Sequence, residues 1–127
     1  MRLNKYEKEW IKRLTSGKSL KHKNKLFGPR KNSNCCLGVA VRVCEVQVDP
    51  NIFQVNLDDF PDVTDKIRIH PNGRINQDKV TKKWKKYFDS KNIDYDCLMY
   101  LNDETNMTHK QIGEFINENR EAVFIMA

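Results

Sequence analysis

The chain has no long apolar run. Its longest uncharged apolar stretch, Cys35 to Val41, is seven residues, against the roughly 20 needed to cross a bilayer. Residues 1–20 hold no apolar signal core, so neither membrane insertion nor secretion is expected. Cysteine is sparse and poorly spaced for a metal. Cys35, Cys36, Cys44 and Cys97 form no C-x-x-C pair, and His22, His70 and His109 are scattered singly, which argues against structural zinc. With no sign of an oxidising compartment, the four thiols are expected to be reduced and to serve as small apolar residues.

Catalytic signatures are missing as well. No G-x-S-x-G, H-E-x-x-H or G-x-G-x-x-G occurs, so the common nucleophile, zinc and dinucleotide mechanics lack their parts. Ser16-Gly17-Lys18-Ser19 imitates the end of a phosphate loop, but the first glycine would fall at Lys12, within a helical pattern instead of after a strand. Candidates for acid–base work reduce to His22, His70, His109, Asp103 and Glu104; isolated histidines and turn-forming aspartates are more often structural. Cys35-Cys36 follows Arg30 and Lys31, which would favour a thiolate, whereas the adjoining Leu37-Gly38-Val39 favours burial. Gly38 itself marks either a close backbone approach or a ligand contact. The chain reads as a binding protein without a cofactor more readily than as an enzyme.

What is present is charge in blocks. The 127 residues, 39% hydrophobic, 9% aromatic and 31% charged, leave room for one domain, 1–127, under a polar surface. The net charge of +6 divides into about +9 over 1–31, −4 over 32–66, +6 over 67–91 and −5 over 92–127. Two readings stay open. The basic and acidic segments face one another or lie solvated, or the basic ones converge into one patch for an anionic partner.

Leu3, Tyr6, Trp10, Ile11 and Leu14 share one helical face, with Gly17 placed as terminator. Residues 18–34 carry Lys18, Lys21, Lys23, Lys25, Arg30 and Lys31 without a sustained period and read as a mobile basic loop. Over 35–48 the valines 39, 41 and 43 alternate as in a strand, while Cys36, Leu37, Ala40, Val43 and Cys44 trace a helical face; local propensity leans to strand. Asp49-Pro50 ends the segment either way. Ile67 and Ile69 alternate up to Asn72-Gly73, a hairpin-turn pair that predicts a small two-stranded ribbon. Val80, Trp84, Tyr87 and Phe88 predict a helix over 78–89 with lysines 79, 82, 83, 85 and 86 on its outer face. Thr108 and Gln111 are spaced as a capping box for a helix burying Ile112, Phe115 and Ile116. The apolar end, 122–127, is expected to pack on the body or on a second copy, which makes a homodimer the favoured oligomer. The predicted class is α+β, a mostly helical compact single domain with a small antiparallel ribbon.

The candidate binding residues are Lys18, Lys21, Lys23, Lys25, Arg30, Lys31, Lys79, Lys82, Lys83 and Lys86 for an anionic partner. Tyr87, Tyr95 or Phe27 would supply stacking for a nucleic acid, and Asn102 or Asp103 would read a ribose or base in a pocket for a phosphorylated molecule. Charge alone does not separate these.

The order Trp10, Leu14-Thr15-Ser16-Gly17, Cys35-Cys36-Leu37-Gly38-Val39, Leu101-Asn102-Asp103 and Ile112 to Asn119 resembles a family of small accessory proteins of tailed bacteriophages. The likeness spans nearly the whole chain. Thr15 departs from it, where arginine is usual, as does Asn34, where an aromatic is usual; a ligand site at those positions would differ here. The resemblance implies a product acting in the cytoplasm of an infected bacterium and a helical Cys-Cys-Leu-Gly-Val block. It also suggests a viral protein that binds a host protein or a nucleotide-like immune signal, in anti-defence or host takeover. A nucleic-acid-binding protein and a small hydrolase or nuclease are the alternatives.

Overall fold

In the computed structural model, the described residues are 2–18, 20–21, 33–44 and 61–125. Seven α-helices carry them: α1 (Lys5–Thr15), α2 (Cys36–Val43), α3 (Pro61–Lys66), α4 (Lys82–Ser90), α5 (Leu98–Asp103), α6 (His109–Glu118) and α7 (Arg120–Val123), with 3-10 turns at Pro71–Gly73 and Gln77–Lys79. Extended pairing among the described residues is confined to a two-residue parallel contact, β1 (Leu20–Lys21) on β2 (Ser33–Asn34), and two isolated bridges. The expected α+β class is therefore corrected to a helical one.

The predicted ribbon fails for an identifiable reason. Asn72 and Gly73 do take the left-handed pair that an Asn–Gly turn requires, with φ of 59° and 68°. Their flanks, however, bond elsewhere: Ile69 bridges Phe124, and Arg74 bridges Cys97. Gly73 is the buried corner of an otherwise exposed turn, and a Cβ there would stand 3.4 Å from Leu98 Cβ and 3.6 Å from both Leu37 methyls. Burying that tip against α2 and α5 draws the two flanking segments to separate partners.

α2 occupies the centre. Cys36, Leu37, Gly38, Val39, Ala40, Val41 and Val43 are all buried, with only Arg42 half-buried, and a helix apolar over nearly its whole circumference is stable only inside a core. Burial overrides the β preference of its valines. Three contacts fix its start: Cys35 Sγ accepts from the Gly38 N–H at 3.3 Å, Asn102 Oδ1 from the Cys36 N–H at 3.1 Å, and the Cys36 carbonyl from Trp10 Nε1 at 2.9 Å. Asn102 thus caps α2 from α5, meeting an N-terminal donor that the helix cannot satisfy itself.

α1 and α6 match their predicted faces. Each begins with a full capping box, Asn4 with Glu7 and Thr108 with Gln111. They cross at Gly113, where a Cβ would fall 2.7 Å from Thr15 Cγ2 and 2.9 Å from Leu14 Cβ. Glycine therefore sets how near the two helices lie. The second predicted helix starts later than expected, at Lys82. Residues 77–79 form a 3-10 turn, and Asn119 Oδ1 accepts the Thr81 N–H at 2.8 Å, capping α4 from the far end of α6.

An aromatic cluster joins α4 to α6. Phe88 lies between Phe115 at 5.3 Å and a stacked Tyr95 at 4.8 Å, and Trp84 meets Phe115 edge-on at 5.4 Å. Such contacts add about 0.5–1.5 kcal/mol each beyond area burial. At the C-terminal end Ala122, Val123 and Phe124 are buried in the chain itself, while Ile125 is 45% exposed. None of the described helices is long and apolar enough to cross a membrane.

Candidate functional site

The cationic face of α4 follows from its aromatic anchor. With Trp84 and Phe88 buried, the helical repeat turns Lys82, Lys83 and Lys86 outward, and Lys79 precedes them, also exposed. Lys83 donates to Glu118 Oε1 at 2.8 Å. That hydrogen bond, with burial opposing it, holds the Glu118 carboxyl below its ordinary range. Among the described residues, Lys79, Lys82 and Lys86 have no ion pair. Three of the predicted binding lysines, Lys82, Lys83 and Lys86, thus share one helical surface, with Lys79 on the 3-10 turn before it.

The remaining candidates are placed differently. Lys18 is exposed just beyond α1, and Lys21 lies in β1. Lys23, Lys25, Arg30 and Lys31 lie outside the described residues, as do His22, Phe27 and the bulk of the predicted mobile loop, so convergence of the two basic segments lies outside them too. Asn102 is fully buried and engaged as the cap of α2, its Nδ2 donating to Asp103 Oδ1 at 2.8 Å. Its side chain is thus engaged in joining α5 to the start of α2.

Cys35 and Cys36 are buried beside these groups. Desolvation pushes the Cys35 thiol up to about 11 despite hydrogen bonds from the backbone of Gly38 and Leu37, and the charge of Asp103 adds to the rise. The Cys36 thiol is likewise held well above its ordinary value, by burial first and then by the proximity of Cys35 and Asp103. Neither is a thiolate at neutral pH, which favours the core reading over the reactive one. His109 is likewise a core residue at 2% exposure. No group of three or more metal-ligating side chains occurs among the described residues.

A cleft of about 420 Å³ opens where α4 ends, lined by Tyr87, Lys91, Asn92, Tyr100, Glu104 and Asn106, with buried Met107 also on its wall. The end of α4 builds it. Asn92 has φ 54°, the Asn92 N–H bonds to the Asp89 carbonyl at 3.1 Å and the Ile93 N–H to the Phe88 carbonyl at 2.9 Å. This is a Schellman close with asparagine where glycine is usual. Of the proposed stacking residues, Tyr87 lines the cleft and Tyr95 is committed to Phe88. Tyr100, Asn92 and Asn106 went unnoticed as site residues because no local pattern links three short segments that only the fold brings together.

No family model, curated protein or solved structure matches the chain.

Proposed function

We propose that this chain is a non-enzymatic accessory protein of a tailed bacteriophage, made in the cytoplasm of an infected bacterium, that binds an anionic host protein or nucleotide-like signal through the cationic face of α4. The observation that carries the binding reading is exposed Lys82 and Lys86 on α4 opposite a buried Trp84–Phe88 anchor, with exposed Lys79 on the turn before it. Lysines on a fixed helix attract an anion without first ordering a loop, and clustered positive charge speeds encounter. The phage origin rests on the resemblance of the four sequence blocks. The buried thiols and the buried His109 weigh against the hydrolase alternative.

The test is native mass spectrometry of the protein recovered from infected cells, followed by denaturation to release what is bound. An acidic protein or a phosphorylated small molecule should co-purify with the native chain. It should be lost from the Lys82→Glu, Lys86→Glu double variant, whose melting temperature should barely move, since exposed substitutions shift stability by only about 0.5 kcal/mol each. A bare protein, or equal retention by the variant, overturns the reading. Nucleic acid bound with a steep salt dependence would replace it with the nucleic-acid alternative.

A further inference from the structure

The geometry points to a second site: we propose that the cleft at the end of α4 binds the base of a mononucleoside, free or carrying one 5′-phosphate. Its volume, about 420 Å³, lies within the range of roughly 300–1,000 Å³ typical of small-ligand pockets. Two phenol rings, Tyr87 from α4 and Tyr100 from α5, stand among its walls, and an aromatic face stacks on any heterocyclic base.

The polar groups select the ligand class. Asn92 and Asn106 line the cleft, and an asparagine side chain carries the paired acceptor and donor that read base edges. Gln111 also lines the cleft; its Oε1 accepts the Thr108 N–H at 2.9 Å, which leaves its Nε2 to donate. Charge is nearly balanced, with Lys91 against Glu104. One cation beside one carboxylate accommodates a ribose or a single phosphate and disfavours a polyphosphate.

Asn92 closes α4 in the left-handed conformation, φ 54°, that glycine adopts without steric cost and asparagine tolerates. Asparagine at this position of the cleft lining carries an amide that glycine would lack.

The experiment is a ¹⁵N–¹H NMR titration of the full chain with each of the four ribonucleosides and their 5′-monophosphates, with inorganic phosphate and pyrophosphate as charge controls. At least one nucleoside should give saturable shifts confined to Asn92, Tyr100, Asn106 and their neighbours. Tyr100→Ala should weaken binding about tenfold, in line with the loss of one stacking partner. Asn92→Gly should melt at an equal or higher temperature yet bind about threefold more weakly, so its result does not depend on a folding defect. Lys12→Glu, on the exposed side of α1, should leave nucleoside binding unchanged, which controls for a general change of surface charge. Absence of saturation at roughly millimolar nucleoside, shifts reproduced by inorganic phosphate, or wild-type binding by both cleft variants overturns the proposal.

Discussion

Two ion pairs of nearly equal length do opposite work in this molecule. At the base of α1, Arg68 Nη2 reaches Glu7 Oε1 at 2.9 Å; on the rim of α4, Lys83 Nζ reaches Glu118 Oε1 at 2.8 Å. The Glu7 side chain is wholly buried, whereas Lys83 and Glu118 are 74% and 41% exposed. Glu7 also accepts from the Asn4 N–H at 2.9 Å, and from the Arg68 N–H and Nε at 3.0 and 3.1 Å. It joins the first turn of α1 to the segment after α3. Burial pushes its carboxyl up, but the hydrogen bonds from the Arg68 side chain and from the backbone of Asn4 and Arg68 outweigh this and hold it below the ordinary value. Distance ranks neither pair; the environment does.

The comparison is tested hardest at Glu7. Glu7→Gln should cost about 3 kcal/mol, because an amide N–H then faces the Arg68 donors and a buried pair loses one partner. A melting temperature lower by roughly 10 °C is the expected readout, and a loss as small as that of a surface pair would erase the distinction. The same carboxylate sets an acid limit. Its folded pKa is depressed, so its contribution is fully present above the unfolded value and disappears as pH falls through the folded one. Denaturant midpoints measured from neutral pH downward should therefore fall more steeply for the native chain than for Glu7→Gln.

Asn102→Ala extends the buried side of the comparison. It leaves the Cys36 N–H without its cap in the core, at a cost of about 2 kcal/mol, read from urea unfolding. Gly113→Ala should lose about 1–2 kcal/mol by the same measurement. The added methyl meets Leu14 Cβ, and overpacking then exceeds the gain in helix propensity. The smallest effect belongs to the exposed pair. Lys83→Ala should change stability by less than about 0.5 kcal/mol, and even that should fade with added salt.

The sequence shows α1, α4 and α6 because each carries a one-sided apolar stripe, with Gly17 closing the first, a lysine-filled outer face on the second, and Thr108 and Gln111 opening the third. The structure adds a capping box of Asn4 and Glu7 at the start of the first. The cleft was not legible. Its walls come from the end of α4, from α5 and from the chain leading into α6, and nothing local records that these meet.

The sequence by itself determined the surface helices and the cationic face of α4, since a period of 3.6 residues and a cap act within a few neighbouring residues. Only the tertiary structure decided that Cys36–Val43 is a helix, that Asn102 caps it, and that the Asn72–Gly73 turn buries Gly73 without making a ribbon. A largely apolar segment, a polar side chain and a tight turn each satisfy local rules in more than one conformation. Contacts with residues distant in the chain select among them.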